Sequence, residues 1–109
     1  MKKLSKDQET LAESFRSYLR KKNMSENTEN AYGRAIRQFF SIESYISEDQ
    51  LRKYRSFLIS NYSPATINQR IFAINQFLLF LEKECPALDP ALAGFRLHSV
   101  KAPRDTFQD

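Results

Sequence analysis

The chain is 109 residues long with a formal net charge of +4, 41% hydrophobic and 13% aromatic residues, and only two glycines. That length buries one real core but not two independent ones, so a single ordered domain is expected. No apolar run is long enough to span a bilayer, and the basic start Met1-Lys-Lys-Leu-Ser-Lys has no apolar stretch behind it, so no signal peptide is expected there.

Apolar spacing is helical almost throughout, and four segments carry their own start signals. The first spans roughly 8–22. Ser5 with Gln8 reads as a capping box, Leu11, Phe15, Tyr18 and Leu19 form the apolar stripe, and Arg20-Lys21-Lys22 suits the negative end of the helix dipole. Asn23 is the expected left-handed stop. The second helix runs from Glu26 or Thr28 to Ser41, capped by Ser25 or Asn27. Tyr32, Ile36 and Phe39 fall on its inner side, with Ala35 and Phe40 beside them.

Gly33 sits inside this second helix, where glycine costs about 1 kcal/mol relative to alanine. Its presence calls for a close approach, by a neighbouring helix or by a DNA backbone. Ser47 with Gln50 opens a third helix to about Ser60, with Leu51, Tyr54, Phe57 and Leu58 inward and Arg52, Lys53 and Arg55 mostly outward. Ser63-Pro64 opens the fourth, with proline where a missing N–H is harmless. That helix should reach Glu84, with Ile67, Ile71, Ile74, Leu78 and Leu81 as its stripe. Phe72, Phe77, Leu79 and Phe80 widen the apolar surface, so it should be the most buried helix.

Pro86 and Pro90 end helical structure, and the remainder, with Gly94 and Pro103, reads as a short turn followed by a linker. The expected fold is all-α: a compact four-helix bundle over residues 1–93, with an extended linker tail over 94–109 and no strands.

Catalytic chemistry has little to work with. His98 is the only histidine and reads as a solvated tail residue. Cys85 is the only cysteine, forms no internal disulfide, suits a reducing cytoplasm, and builds neither a nucleophile–base pair nor a zinc site with His98. There is no phosphate-cradling glycine loop and no acidic cluster with metal spacing.

Surface remains. Asn27, Asn30, Ala31, Arg34, Arg37 and Gln38 cover the second helix opposite Tyr32 and Phe39. Thr66, Gln69, Arg70, Ala73 and Gln76 form a stripe on the fourth. Arginines reach phosphate or guanine, Asn and Gln pair with adenine, and alanine admits close approach, so this mixture suits a major groove. Ordinary solvated helix faces have the same composition, and a small helical protein-interaction domain is the alternative. A pI near 9.3 favours a polyanion partner only if the positive charges share one surface.

The order of motifs resembles the core-binding, SAM-like N-terminal domain of tyrosine recombinases, the phage integrase family. The resemblance rests on Phe15-x-x-Tyr18-Leu19 in the first helix and Ser25-x-x-Thr28-x-x-x-Tyr32 with Ile36 and Phe39-Phe40 in the second. Ser47-x-x-x-Leu51 and Phe57-Leu58 follow in the third. Ser63-Pro64-Ala65-Thr66-Ile67-Asn68-x-Arg70 leads to Phe77-x-x-Phe80-Leu81 in the fourth. Asp89-Pro90-Ala91-Leu92 is similar to the family's Asn-Pro turn, and Lys101-Ala-Pro-Arg104 to the linker before its catalytic domain.

The resemblance implies a clamp on double-stranded DNA, with the second and fourth helices toward the major groove. It implies a tyrosine nucleophile assisted by two arginines, a His-x-x-Arg element and usually a lysine, with no metal or nucleotide cofactor. It further implies a 3′-phosphotyrosyl intermediate within a tetramer on DNA. None of those catalytic residues carries over: His98-Ser-Val-Lys101 is not His-x-x-Arg and lies in the linker. The expectation is therefore a DNA-binding piece of a recombinase, monomeric alone, without membrane or small-molecule partners. A start at Met1 would leave no room for an extra arm-binding domain. The candidate DNA contacts are Arg34, Arg37 and Arg70, with Thr28, Asn30, Thr66 and Gln69 as hydrogen-bonding partners and Lys21 and Lys22 as backbone contacts.

Overall fold

A computed structural model describes residues 3–84 and 92–101. The expected turn at Asp89-Pro90-Ala91, and the residues Cys85, Pro86, Pro103 and Arg104, lie outside the described residues. Four helices follow one another: α1 (Lys6–Lys21), α2 (Glu26–Ile42), α3 (Glu48–Asn61) and α4 (Pro64–Glu84). Among the described residues there is no strand.

Each helix begins where its sequence signal stands. The Ser5 hydroxyl accepts from the Gln8 N–H at 3.1 Å and the Gln8 side chain accepts from the Ser5 N–H at 2.8 Å, a reciprocal capping box. Ser25, rather than Asn27, caps α2 through the Thr28 N–H. Ser47 caps α3 in the same way, but its box is one-sided, because the Gln50 amide turns away to donate to Glu43 at 2.6 Å. Pro64 is the first residue of α4.

The α1–α2 turn is the left-handed stop expected at Asn23, whose φ is +63°. The Met24 N–H donates to the Leu19 carbonyl and the Asn23 N–H to the Arg20 carbonyl. These two bonds make a Schellman motif and satisfy carbonyls that the helix end would otherwise leave orphaned.

The turn folds α1 back along α2, and α4 packs against both. Phe15, Phe39, Phe40, Tyr54 and Phe77 are fully buried at the centre. Their rings meet edge to face: Phe15–Phe77 at 5.2 Å, Phe39–Tyr54 at 5.4 Å and Phe40–Phe77 at 5.9 Å. Burying each such side chain is worth about 1.5–3 kcal/mol before packing geometry is counted.

Two positions depart from the sequence reading of α4. Ala73, assigned to the outer stripe, is buried, whereas Phe72, assigned to the apolar surface, is 57% exposed with its ring edge toward Tyr32. Residue 73 points inward because α4 is covered on two sides, by α2 and by α3, so its buried arc is broader than the isoleucine stripe.

Residues 94–101, assigned to the linker, lie against the bundle. Leu92 and Leu97 are buried in the same core as the helices. Asn75 grips the backbone of Leu97, accepting from its N–H at 2.9 Å and donating to its carbonyl at 3.1 Å. Two turns earlier on α4, Asn68 does the same to Val100 at 2.8 and 2.9 Å. Arg55 of α3 donates to the His98 carbonyl at 2.8 Å, and Arg52 lies over the Phe95 ring. The His98 side chain itself is exposed.

Candidate nucleic-acid interface

The three candidate arginines converge. Arg34 and Arg37 from α2 and Arg70 from α4 line one shallow, open recess together with Gln38, Ser41 and Leu4. They meet because α2 and α4 pack side by side, and because Arg34 and Arg37 lie one turn apart on the rim of α2.

Their surroundings differ. Arg34 is exposed, and no carboxylate pairs with it among the described residues. Arg37 is half-buried and forked onto Glu9 of α1, Nη1 to Oε1 at 2.6 Å and Nη2 to Oε2 at 3.0 Å. That hydrogen-bonded pair holds the Glu9 carboxyl below the usual carboxylate range and raises Arg37 further above neutrality.

Arg70 belongs to a polar knot. Its Nη1 donates to the Gln38 Oε1, and its guanidinium lies 4.9 Å from the Tyr62 ring centre. The same Gln38 oxygen accepts from the Tyr54 hydroxyl at 2.7 Å, while the Gln38 amide donates to the Tyr62 hydroxyl at 2.9 Å. Burial pushes the Tyr54 hydroxyl up to about 12, against partial relief from Arg70. The knot ties α2, α3 and α4 together and fixes the direction in which Arg70 faces the recess.

The hydrogen-bonding candidates are less uniform. Asn30 is half-buried, and its Oδ1 already accepts from Arg16 of α1, so its amide hydrogens are the groups left to offer a ligand. An adenine edge needs both the donor and the acceptor of an asparagine. Asn30 as it stands therefore suits acceptor groups, phosphate oxygens or guanine, better than adenine. Thr28 and Thr66 serve helix starts: Ser25 donates to the Thr28 hydroxyl at 2.9 Å and Ser63 to the Thr66 hydroxyl at 3.4 Å. Gln69 is exposed, with no partner among the described residues.

Lys21 and Lys22 lie apart from the arginine recess. Lys21 lines another surface hollow with Tyr18, Phe80 and Glu84, and Lys22 donates to the Tyr18 hydroxyl at 3.3 Å while lying over that ring.

Arg16 also accounts for Gly33. The glycine is buried, and a Cβ built on it would stand 3.0 Å from the Cδ and 3.3 Å from the Cγ of Arg16. The missing side chain is the gap through which the Arg16 stem crosses α2 to reach Asn30 and Glu29. Glu29 is a buried carboxylate, only 7% exposed at its side chain, held by Arg16 at 3.0 Å and by Arg20 at 3.1 Å. The close approach is thus a neighbouring helix, made by one arginine.

Sequence reasoning missed Arg16, Glu9 and Leu4 as neighbours of the interface. Gln38 was placed on the outer stripe but not given its joining role. Glu9 and Arg16 lie seven residues apart on one face of α1, as Asn30 and Arg37 do on α2. That paired spacing of opposite polarity was the available signal.

Among the described residues no group of three or more His, Cys, Asp or Glu side chains is placed to hold a metal. No helix among the described residues is long and apolar enough to cross a membrane.

An all-α, four-helix domain with a basic recess between two of its helices is the class that fold and surface define. Within that class, residues 12–85 match the family model described as phage integrase, N-terminal SAM-like domain, and the chain belongs to that family. A tyrosine recombinase XerD-like protein of Streptococcus sanguinis (strain SK36) is 35% identical over 75 residues, which cover 68% of this chain and 30% of that relative. The match thus spans less than a third of the relative's length. No solved structure matches the chain.

Proposed function

We propose that this domain binds double-stranded DNA through the α2–α4 face, as the non-catalytic arm of a site-specific tyrosine recombinase. The convergence of Arg34, Arg37 and Arg70 on one open recess, in a chain of the integrase N-terminal family, is the observation that carries this reading. Arginines on a common face neutralise phosphates, and the amide hydrogens of Asn30 and Gln69 add contacts that fix register. Breaking and rejoining DNA belongs to a catalytic domain elsewhere in such a recombinase, which grips the duplex from the other side. The assembled protein then works as a tetramer on DNA, in the cytoplasm, while the isolated domain is a monomer with weak affinity.

Fluorescence anisotropy on a labelled duplex across a salt series tests the reading. Affinity should fall steeply with salt, by a log–log slope of about 0.9 for each phosphate neutralised. Arg34→Ala with Arg70→Ala should weaken binding about tenfold or more, whereas Arg52→Ala with Lys53→Ala on α3 should change it about twofold or less. Equal losses from the two pairs would reduce the interaction to diffuse charge and defeat the assignment of the face. Circular dichroism of each variant separates lost binding from lost folding.

A further inference from the structure

The Glu9–Arg37 fork couples a candidate DNA contact on the α2–α4 face to α1, which lies outside that face. Two nitrogens of Arg37 hold two oxygens of one anion, at 2.6 and 3.0 Å. An arginine offers the same fork to two oxygens of a phosphate. Both side chains are nearly half exposed, 43% for Arg37 and 46% for Glu9, so solvent and ligand can reach the pair. Exposed ion pairs are weak and are exchanged readily. Among the described residues a carboxylate occupies only this one of the three recess arginines: Arg34 has none, and Arg70 contacts the neutral Gln38 and Tyr62. Glu13, one turn further along α1, adds negative charge toward the same guanidinium.

We propose that Glu9 is an internal counter-anion, holding Arg37 in the place a DNA phosphate would take and so setting the affinity and salt response of the α2–α4 face. The inference rests on the DNA-binding reading of that face. Binding a phosphate at Arg37 is an exchange: the Glu9 carboxylate leaves the guanidinium, the phosphate enters, and no covalent bond changes. The gain at Arg37 is offset by the lost ion pair and by a freed carboxylate beside the DNA backbone. Arg37 therefore contributes little while Glu9 is present, although it lines the same recess as Arg34 and Arg70.

Glu9→Gln removes the competing charge and keeps the side chain's size, and Asp7 remains to complement the start of α1. Anisotropy with the full chain and a labelled duplex, across a sodium chloride series, should show Glu9→Gln binding about three- to tenfold tighter. Its log–log salt slope should be steeper by about one phosphate contact, 0.9. Arg37→Ala should cost the natural chain about twofold or less, yet abolish the gain when combined with Glu9→Gln. Glu84→Gln, which makes the same charge change at the far end of α4, should gain less than Glu9→Gln.

An unchanged affinity and slope in Glu9→Gln overturns the proposal. So does a gain that survives Arg37→Ala, or one that Glu84→Gln equals. If Arg34→Ala with Arg70→Ala leaves binding intact, the face itself is misassigned and both readings fall. If that pair weakens binding while Glu9→Gln changes nothing, only the counter-anion role fails.

Discussion

Replacing Gly33 by alanine sets two effects of similar size against each other. In an open helix the change stabilises by about 1 kcal/mol, because alanine is the better helix former. Here the new methyl would meet the Arg16 Cδ at 3.0 Å and Cγ at 3.3 Å, so the arginine stem must move by a few tenths of an ångström. That stem is tethered at its head to Glu29 and Asn30, and hydrogen bonds to charged groups are worth about 1.5–3 kcal/mol. Straining part of one such bond costs about 1 kcal/mol. Gly33→Ala should therefore leave stability nearly unchanged in the natural chain. In an Arg16→Ala background the obstacle is gone, and the same substitution should stabilise by about 1 kcal/mol. Urea unfolding followed by far-ultraviolet circular dichroism suits a chain without tryptophan. Thermal midpoints should differ by about 4–8 °C per kcal/mol in a domain of this size. Equal stabilisation by Gly33→Ala in both backgrounds would show that Arg16 is not what the glycine accommodates.

The docked segment beyond α4 gives a second expectation: Leu97→Ala should cost about 2–3 kcal/mol, as for a core leucine, where a solvated linker residue would cost almost nothing. In the same segment, Asn75→Asp keeps the acceptor for the Leu97 N–H but loses the donor to its carbonyl, so hydrogen exchange at Leu97 should quicken while core helix amides stay protected. At high pH, the Tyr54 hydroxyl, raised from 10.0 to about 12 by burial, lends stability that is complete below pH 10 and lost as pH rises from 10 through 12. Tyr54→Phe should flatten that alkaline limb in a pH series of melts and cost about 1 kcal/mol at neutrality for the lost hydrogen bond. At low pH, the Glu82 carboxyl is held below 4.5 by hydrogen bonds from Arg96 and the Gly94 N–H, so its stabilisation is present above pH 4.5 and lost as pH falls below it. Glu82→Gln should shrink the drop in melting temperature between about pH 5 and pH 3.

Local signals made most of the secondary structure legible in the sequence. Ser5 with Gln8, Ser25, Ser47, Asn23 and Ser63-Pro64 act within a few residues of themselves, satisfying orphan backbone groups or setting a backbone angle, so their spacing is enough to locate the helix ends. The apolar stripes held for the same reason at Phe15, Ile36, Leu51 and Ile74, where one face meets one core. Ala73 misled because a helix touched on two sides buries an arc that periodicity alone does not reveal, while Phe72 falls just outside that arc, with Tyr32 as its ring neighbour.

The candidate arginines were legible as a surface stripe, but their electrostatic states were not. Whether an arginine is open, like Arg34, forked onto a carboxylate, like Arg37, or tied into amides and rings, like Arg70, depends on residues distant in the chain. Their partners Glu9 and Gln38 lie 28 and 32 residues from the arginines they hold.

By itself, then, the order of residues determined four helices, three of them capped by serines and the fourth opened by a proline, their inward faces and a run of cationic positions, because those properties arise from contacts within one or two turns. Tertiary packing alone decided that Arg16 passes over Gly33, that Arg34, Arg37 and Arg70 share a recess, and that two asparagines hold the segment after α4. Such contacts exist only once helices remote in sequence are brought within hydrogen-bonding distance. At that range desolvation and geometry choose among partners that composition leaves equivalent.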